Sequence, residues 1–249
     1  MALMTRPWVT LDRVASAGGE LELRARGGRE FLITVAGRVL MTSAAHESES
    51  ALAQWLCEDL AANRRPRVLI GGLGMGYTLR AALDALPRSA AVRVCELEPA
   101  VVAWCRGPLA ELTGRALEDP RVEVVVADVG ASLRAAASGA LARFDAIALD
   151  LFAGPRGTRD EDDHPLWGAA ALAETVRALA PGGALGVWCE EPAPGFAKRL
   201  ARAGLGAQLR RAGRGGRRHA IYLARRSGQV RGRNGRIARR GGAEGIGDR

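Results

Sequence analysis

Between residues 66 and 190 the chain repeats one alternation: a short, continuously apolar run, a turn, then apolar positions three and four apart. Val68-Leu69-Ile70 runs into glycines at 71, 72, 74 and 76, after which Leu79, Ala82, Leu83 and Leu86 fall at helical spacing. Further strand-like runs cover 91–95, 122–127, 144–149 and 184–189. Helical patterns lie between them, one opening at Pro99, a favourable first-turn position, one around 132–137 and one at about 166–180. Strands that are apolar throughout, rather than at every second position, predict a parallel sheet covered on both faces.

The flanks read differently. Residues 8–42 are β in character: 20–26 alternates, Gly27-Gly28 turns the chain, 29–35 returns, Ala36-Gly37 turns again, and 38–42 completes a three-strand meander. Such a unit is marginal alone, so it must lean on the larger domain or on a second subunit, which would make a homodimer. Leu52, Trp55, Leu56 and Leu60 then mark a helix over 48–62, and another pattern spans 195–203. Runs 206–210 and 219–224 are joined by a link too short for a crossover helix, and so predict an antiparallel hairpin. The expected organisation is a small N-terminal β-meander over 1–46, an α/β domain over 47–226 with a mostly parallel seven-stranded sheet closed by the hairpin, and a Gly/Arg-rich tail over 227–249 too poor in apolar residues to fold.

Composition changes this picture little. Of 249 residues 48% are hydrophobic, enough for such a core, but no apolar run reaches the roughly 18 residues needed to cross a bilayer. With no signal-peptide pattern at the start, we expect a cytoplasmic protein without membrane association. The net charge of +9 is local: residues 209–249 hold thirteen arginines against two acids, which leaves the rest near −2. A solvated tail, rather than a specific nucleic-acid surface, follows. Cys57, Cys95, Cys105 and Cys189 are scattered and read as buried thiols; His46, His164 and His219 are too dispersed to suggest a metal site.

The candidate chemistry lies at the strand ends. A turn with Gly71, Gly72, Gly74 and Gly76 between strand and helix suits a nucleotide, because glycine adopts angles that a Cβ forbids and lets a ligand reach the backbone. About 20 residues on, the second strand ends in Glu96, an acid placed to hold ribose hydroxyls; its bland alternative is a solvated strand end. Asp128 and Asp150 close the third and fourth strands. Asp150 stands near the expected switch point of the sheet, with a helix cap or loop anchor as its structural alternative.

Together with Pro181-Gly182-Gly183 and the closing hairpin, these features resemble a class I S-adenosylmethionine-dependent transferase with a Rossmann-like methyltransferase fold. Within that group the chain resembles the spermidine synthase (polyamine aminopropyltransferase) family over about residues 8–226. The resemblance is carried by residues 70–76, 95–102, 119–128 and 145–150, and by His46-Glu47 before a helix. It implies decarboxylated S-adenosylmethionine as co-substrate, no permanently bound cofactor, and a small-molecule amine acceptor. It further implies Glu96 on the ribose, Asp128 at the adenine amino group, and Asp150 as the carboxylate that orients and deprotonates the acceptor. Two alternatives stay open: a methyltransferase using ordinary S-adenosylmethionine on a small acceptor, and a non-catalytic adenosyl-binding homologue. A nucleic-acid-modifying enzyme using the Arg-rich tail is weaker. The loop Asp150-Leu151-Phe152-Ala153-Gly154-Pro155 departs from the family, with Ala153 where a second acid is usual, and the family's Gln and Tyr before the His-Glu pair are not evident. Asp160-Glu161-Asp162-Asp163 follows in the same loop, either to attract a polycation or as a solvated acidic segment.

Overall fold

A computed structural model describes residues 6–152, 154–155, 163–213 and 218–226. Two sheets appear. The first is antiparallel, with β1 (Val9–Ser16), β2 (Gly19–Arg26), β3 (Glu30–Val35) and β4 (Arg38–Thr42) in sequence order. The second has seven strands: β5 (Arg67–Gly71), β6 (Ala91–Glu96), β7 (Val122–Val126), β8 (Phe144–Leu149), β9 (Leu179–Cys189), β10 (Leu205–Ala212) and β11 (His219–Arg226), ordered β10-β11-β9-β8-β5-β6-β7. The strands from β5 to β9 pair in parallel, and β11 runs antiparallel to both β9 and β10. The predicted parallel sheet closed by a hairpin is the one observed.

Six α-helices are described: α1 (Glu47–Cys57), α2 (Tyr77–Ala85), α3 (Pro99–Arg106), α4 (Val129–Ser138), α5 (Ala169–Ala178) and α6 (Phe196–Arg202). Each central strand feeds two cores, because side chains alternate across a sheet. Val68 and Ile70 join the core on the side of α1, α2 and α3; Leu69 joins that of α4, α5 and α6. On the first side β8 and β9 present small residues, Ala146, Ala148 and Gly186. A Cβ at Gly186 would come 2.7 Å from Leu52 Cδ1, so α1 can lie directly on the sheet.

The expected meander of three strands is a sheet of four. Strand β1 escaped the pattern because its register slips between Thr10 and Asp12, a bulge that breaks alternation, and because Val9 and Leu11 are 57% and 48% exposed. The bulge re-aims Asp12, whose Oδ2 accepts a hydrogen bond from Trp104 Nε1 at 2.6 Å. Strand β9 likewise starts earlier than expected, at Leu179, with Pro181-Gly182-Gly183 inside it as an irregularity in its pairing with β8. The N-terminal sheet leans on the helices and glycine turn of the α/β domain through this Asp12–Trp104 bond, through Tyr77 Oη, which donates to the Ser43 carbonyl, and through Met41 beside Gly74. We expect Asp12→Ala to lower unfolding stability by about 1–3 kcal/mol in urea titrations, since the buried Trp104 indole loses a charged acceptor. All four cysteines are free and buried, and burial pushes the Cys57 and Cys105 thiols up to about 12.

Candidate active site

Strand order reverses between β5 and β8: β6 and β7 follow on one side of β5, β8 and β9 on the other. Open α/β sheets hold ligands at such a switch point, outside the carboxyl ends of the strands. Gly71 pairs with Leu149 across it, and Asp150 N donates to Gly71 O at 2.8 Å, so the glycine turn and Asp150 are brought together.

The four glycines serve differently. Gly72, Gly74 and Gly76 have φ of +88°, +53° and +86°, where side chains are strained. A Cβ on Gly72 would meet the Asp150 carbonyl oxygen at 2.2 Å, and one on Gly74 would meet Met41 Sδ at 2.9 Å. Gly71 instead ends β5, where a Cβ would strike Val129 Cγ2 at 2.8 Å; its smallness serves packing of α4. Gly76 caps α2 with no side-chain partner, so the first amides of that helix face the turn.

Glu96, 9% exposed, closes β6 beside this turn. One carboxylate oxygen accepts from Leu73 N within the glycine turn at 2.8 Å, the other from Glu98 N at 2.9 Å. These bonds fix the carboxylate and use one lone pair on each oxygen; a second on each is left for two hydroxyl donors. Leu97 and Val126, 62% and 51% exposed, offer apolar surface at the same end of the sheet. Asp128 is exposed, and its Oδ1 caps α4 by accepting from Gly130 N at 2.8 Å. The predicted adenine contact would fall to its other oxygen.

Asp150 is half-buried at the end of β8. Thr78 Oγ1, from the first turn of α2, donates to Asp150 Oδ2 at 2.5 Å and sits 3.3 Å from the Glu49 carbonyl oxygen. Burial and the negative charge of Glu49 push the Asp150 carboxyl up to about 7, against the bond from Thr78, which favours the ionised form. Glu49 is 8% exposed on α1; its Oε2 accepts from Ser48 Oγ at 2.6 Å, and Ser48 Oγ accepts from Trp188 Nε1 at 3.1 Å. Tyr77 stacks on His46 with ring centroids 4.0 Å apart, and burial and Glu49 together push its phenol up to about 12.

The structure brings the glycines, Glu96 and Asp150 singled out in the sequence to one end of the sheet, with Asp128 at the cap of α4; the sequence reading did not single out Glu49, Thr78 or the Ser48–Trp188 link. A signal for Glu49 existed. It falls three and seven residues before Leu52 and Leu56, on the apolar stripe of α1, where a charge needs a reason to be buried. Ala153 and the acids at 160–162 lie outside the described residues.

No protein-family model matches the chain. It is 37% identical over 128 residues to the polyamine aminopropyltransferase of Mycobacterium tuberculosis, an alignment covering 50% of this chain and 23% of that protein. The chain thus spans about a quarter of the curated relatives it matches. Among solved structures, spermidine synthase from Thermotoga maritima superposes with a TM-score of 0.66 at 18% identity, covering 88% of this chain and 72% of that one. Human methyltransferase-like protein 13, solved with SAH, superposes with a TM-score of 0.54 at 18% identity, covering 74% of this chain and 82% of that one. These structural likenesses establish the methyltransferase-type fold.

Proposed function

We propose that this spermidine synthase-like chain is a transferase that moves an aminopropyl group from decarboxylated S-adenosylmethionine to an amine of a polyamine. One observation carries the reading: the carboxylate of Asp150 accepts from Thr78, its backbone amide donates to the Gly71 carbonyl at the switch point, and both lie directly beside a glycine turn tied to Glu96.

The chemistry follows from the groups. Gly72 and Gly74 would let the donor's nucleoside lie on bare backbone, and Glu96 would take its two ribose hydroxyls on the lone pairs that Leu73 and Glu98 leave. Asp128 and the apolar flank of Leu97 and Val126 would receive the adenine. A primary amine arrives protonated, with a pKa near 10, and cannot attack in that form. Asp150 would accept its proton. The nitrogen lone pair then forms a bond to the methylene carbon beside the sulfonium, the carbon–sulfur bond breaks, and its electron pair stays on sulfur. Methylthioadenosine and a lengthened amine remain. A base with affinity near neutrality is well matched to this step, and the protein's main contribution is to hold nucleophile and sulfonium in line.

A methyltransferase would share the fold, as the human neighbour does. Its donor carries a carboxylate, which would have to sit near the anionic pair Glu49 and Asp150. Calorimetric titration with decarboxylated S-adenosylmethionine, S-adenosylmethionine and methylthioadenosine, followed by mass-spectrometric product analysis with putrescine and spermidine, tests the proposal. We expect the decarboxylated donor to bind at least about tenfold more tightly than the ordinary one and to yield aminopropylated product. Preference for ordinary S-adenosylmethionine without such product would move the chain to the methyltransferases. Binding with no turnover of any kind would make it an adenosyl-binding homologue.

A further inference from the structure

We infer that Glu49 is a second carboxylate of the reaction site, paired with Asp150 across α1 and β8 to receive one cationic amine. The inference rests on the aminopropyl-transfer reading and deepens it, because it names the group that selects an ammonium.

Geometry brings the backbone of Glu49 and the carboxylate of Asp150 to one hydroxyl, that of Thr78, from distant parts of the chain. The small residues Ala146, Ala148 and Gly186 let α1 settle on β8 and β9, which carries Glu49 to the end of β8 where Asp150 begins. Thr78 stands between them, with its hydroxyl on Asp150 Oδ2 and its oxygen 3.3 Å from the Glu49 backbone carbonyl. Glu49 is itself held in place, by the hydroxyl of Ser48 that Trp188 orients from β9.

Among the described residues, the side chains bonded to the two acids are neutral: Thr78 to Asp150 and Ser48 to Glu49. From α2 come Thr78 and Tyr77, whose proton is held more firmly by burial and by the nearby Glu49; His46 stacks on Tyr77. Arg38 of β4 lies with its guanidinium 5.9 Å from the Phe152 ring centroid. Two carboxylates near enough to act on each other in a buried site repel, and a proton on one of them relieves the repulsion until a cation replaces it. A primary ammonium, with three donors and one charge, fits that vacancy of charge. In this chain the arrangement would supply from α1 the acid that Ala153 does not. The site thus favours a cationic acceptor over a neutral or anionic one.

Glu49→Gln keeps size and an acceptor for Ser48 while it removes the charge; Glu49→Asp keeps the charge and serves as the rescue, and as the working variant should the first fail to fold by circular dichroism. Two readouts apply. In turnover with putrescine, Glu49→Gln should raise KM about 10- to 100-fold with a smaller change in kcat, and the acid limb of the pH–rate profile should move to lower pH, with both effects partly restored in Glu49→Asp. In calorimetry with methylthioadenosine present, putrescine should bind the natural protein and bind Glu49→Gln at least about tenfold more weakly. Product formation with an unchanged KM and pH profile in Glu49→Gln would overturn the inference and leave the transferase reading standing. If the natural protein forms no aminopropylated product, the transferase reading fails, and putrescine binding alone decides: loss on Glu49→Gln supports the acid pair, and equal or absent binding in both proteins overturns it.

Discussion

Gly72→Ala should abolish binding of methylthioadenosine, with affinity falling by more than about a hundredfold, and should cost about 3 kcal/mol or more of stability. Two independent penalties meet at this position. The residue sits at φ +88°, and its new methyl would lie 2.2 Å from the backbone oxygen of Asp150, which cannot swing aside as a side-chain tip would. The loop must therefore move away from β8. That breaks the Gly72 N to Cys95 O bond and displaces Leu73 N from Glu96, so Glu96 loses its anchor together with the turn. Gly76→Ala provides the comparison. It is equally strained, with φ +86°, but its methyl would meet only Thr113 Cγ2 at 3.3 Å. We expect a smaller loss of stability there, and calorimetry with urea unfolding on both variants checks the order. Equal effects at the two sites would mean that backbone strain alone, and not the contact with Asp150, governs the turn.

Asp150→Asn should lower turnover by about 10²- to 10⁴-fold while making the folded protein more stable above neutral pH. The two effects share one cause. The folded Asp150 carboxyl binds its proton up to about pH 7, whereas an ordinary aspartate releases it at 3.8. Below the ordinary value both folded and unfolded chains are protonated, and the native aspartate carries no penalty. As pH rises from about 4 to 7, the unfolded chain gives up this proton and the folded chain keeps it, so stability falls; above 7 the full penalty remains. Asparagine never ionises and can still accept from Thr78 Oγ1. The variant should therefore unfold at higher urea than the natural protein at pH 8, by about 1–3 kcal/mol, and the gap should close toward pH 4. A gap that widened toward acid would show that the folded carboxyl prefers its charged form, and would remove Asp150 as a base poised near neutrality. Such an exchange of stability for function is common where a site demands an uncompensated charge.

The physical origin of each feature separates what was legible in the chain from what was not. Continuous apolar runs, the glycines from 71 to 76 and the acids at 96, 128 and 150 are local: the period of the pattern and the residue after each run are enough to read a parallel sheet and its functional edge. The closing hairpin was legible for the same reason, since a short link admits no helix. Strand β1 was not, because a bulge at Leu11 destroys the alternation by which a strand is recognised and turns Asp12 toward Trp104, 92 residues away. Asp128 could be found as a strand-end acid, but its use as the cap of α4 depends on the direction in which the helix leaves the strand.

Glu49 marks the boundary most clearly. Its place on the apolar stripe of α1 was visible in the sequence, yet nothing local says what a buried carboxylate there would face. Only the stacking of α1 on Ala146, Ala148 and Gly186 brings it to Asp150, 101 residues further along the chain. The sequence by itself determined which elements form and which acids stand at their ends, because those depend on spacing along the chain. The tertiary structure alone decided that Glu49 comes near Asp150, and so that this carboxyl binds its proton more firmly than an ordinary aspartate, because that depends on distance and burial across elements that are remote in sequence.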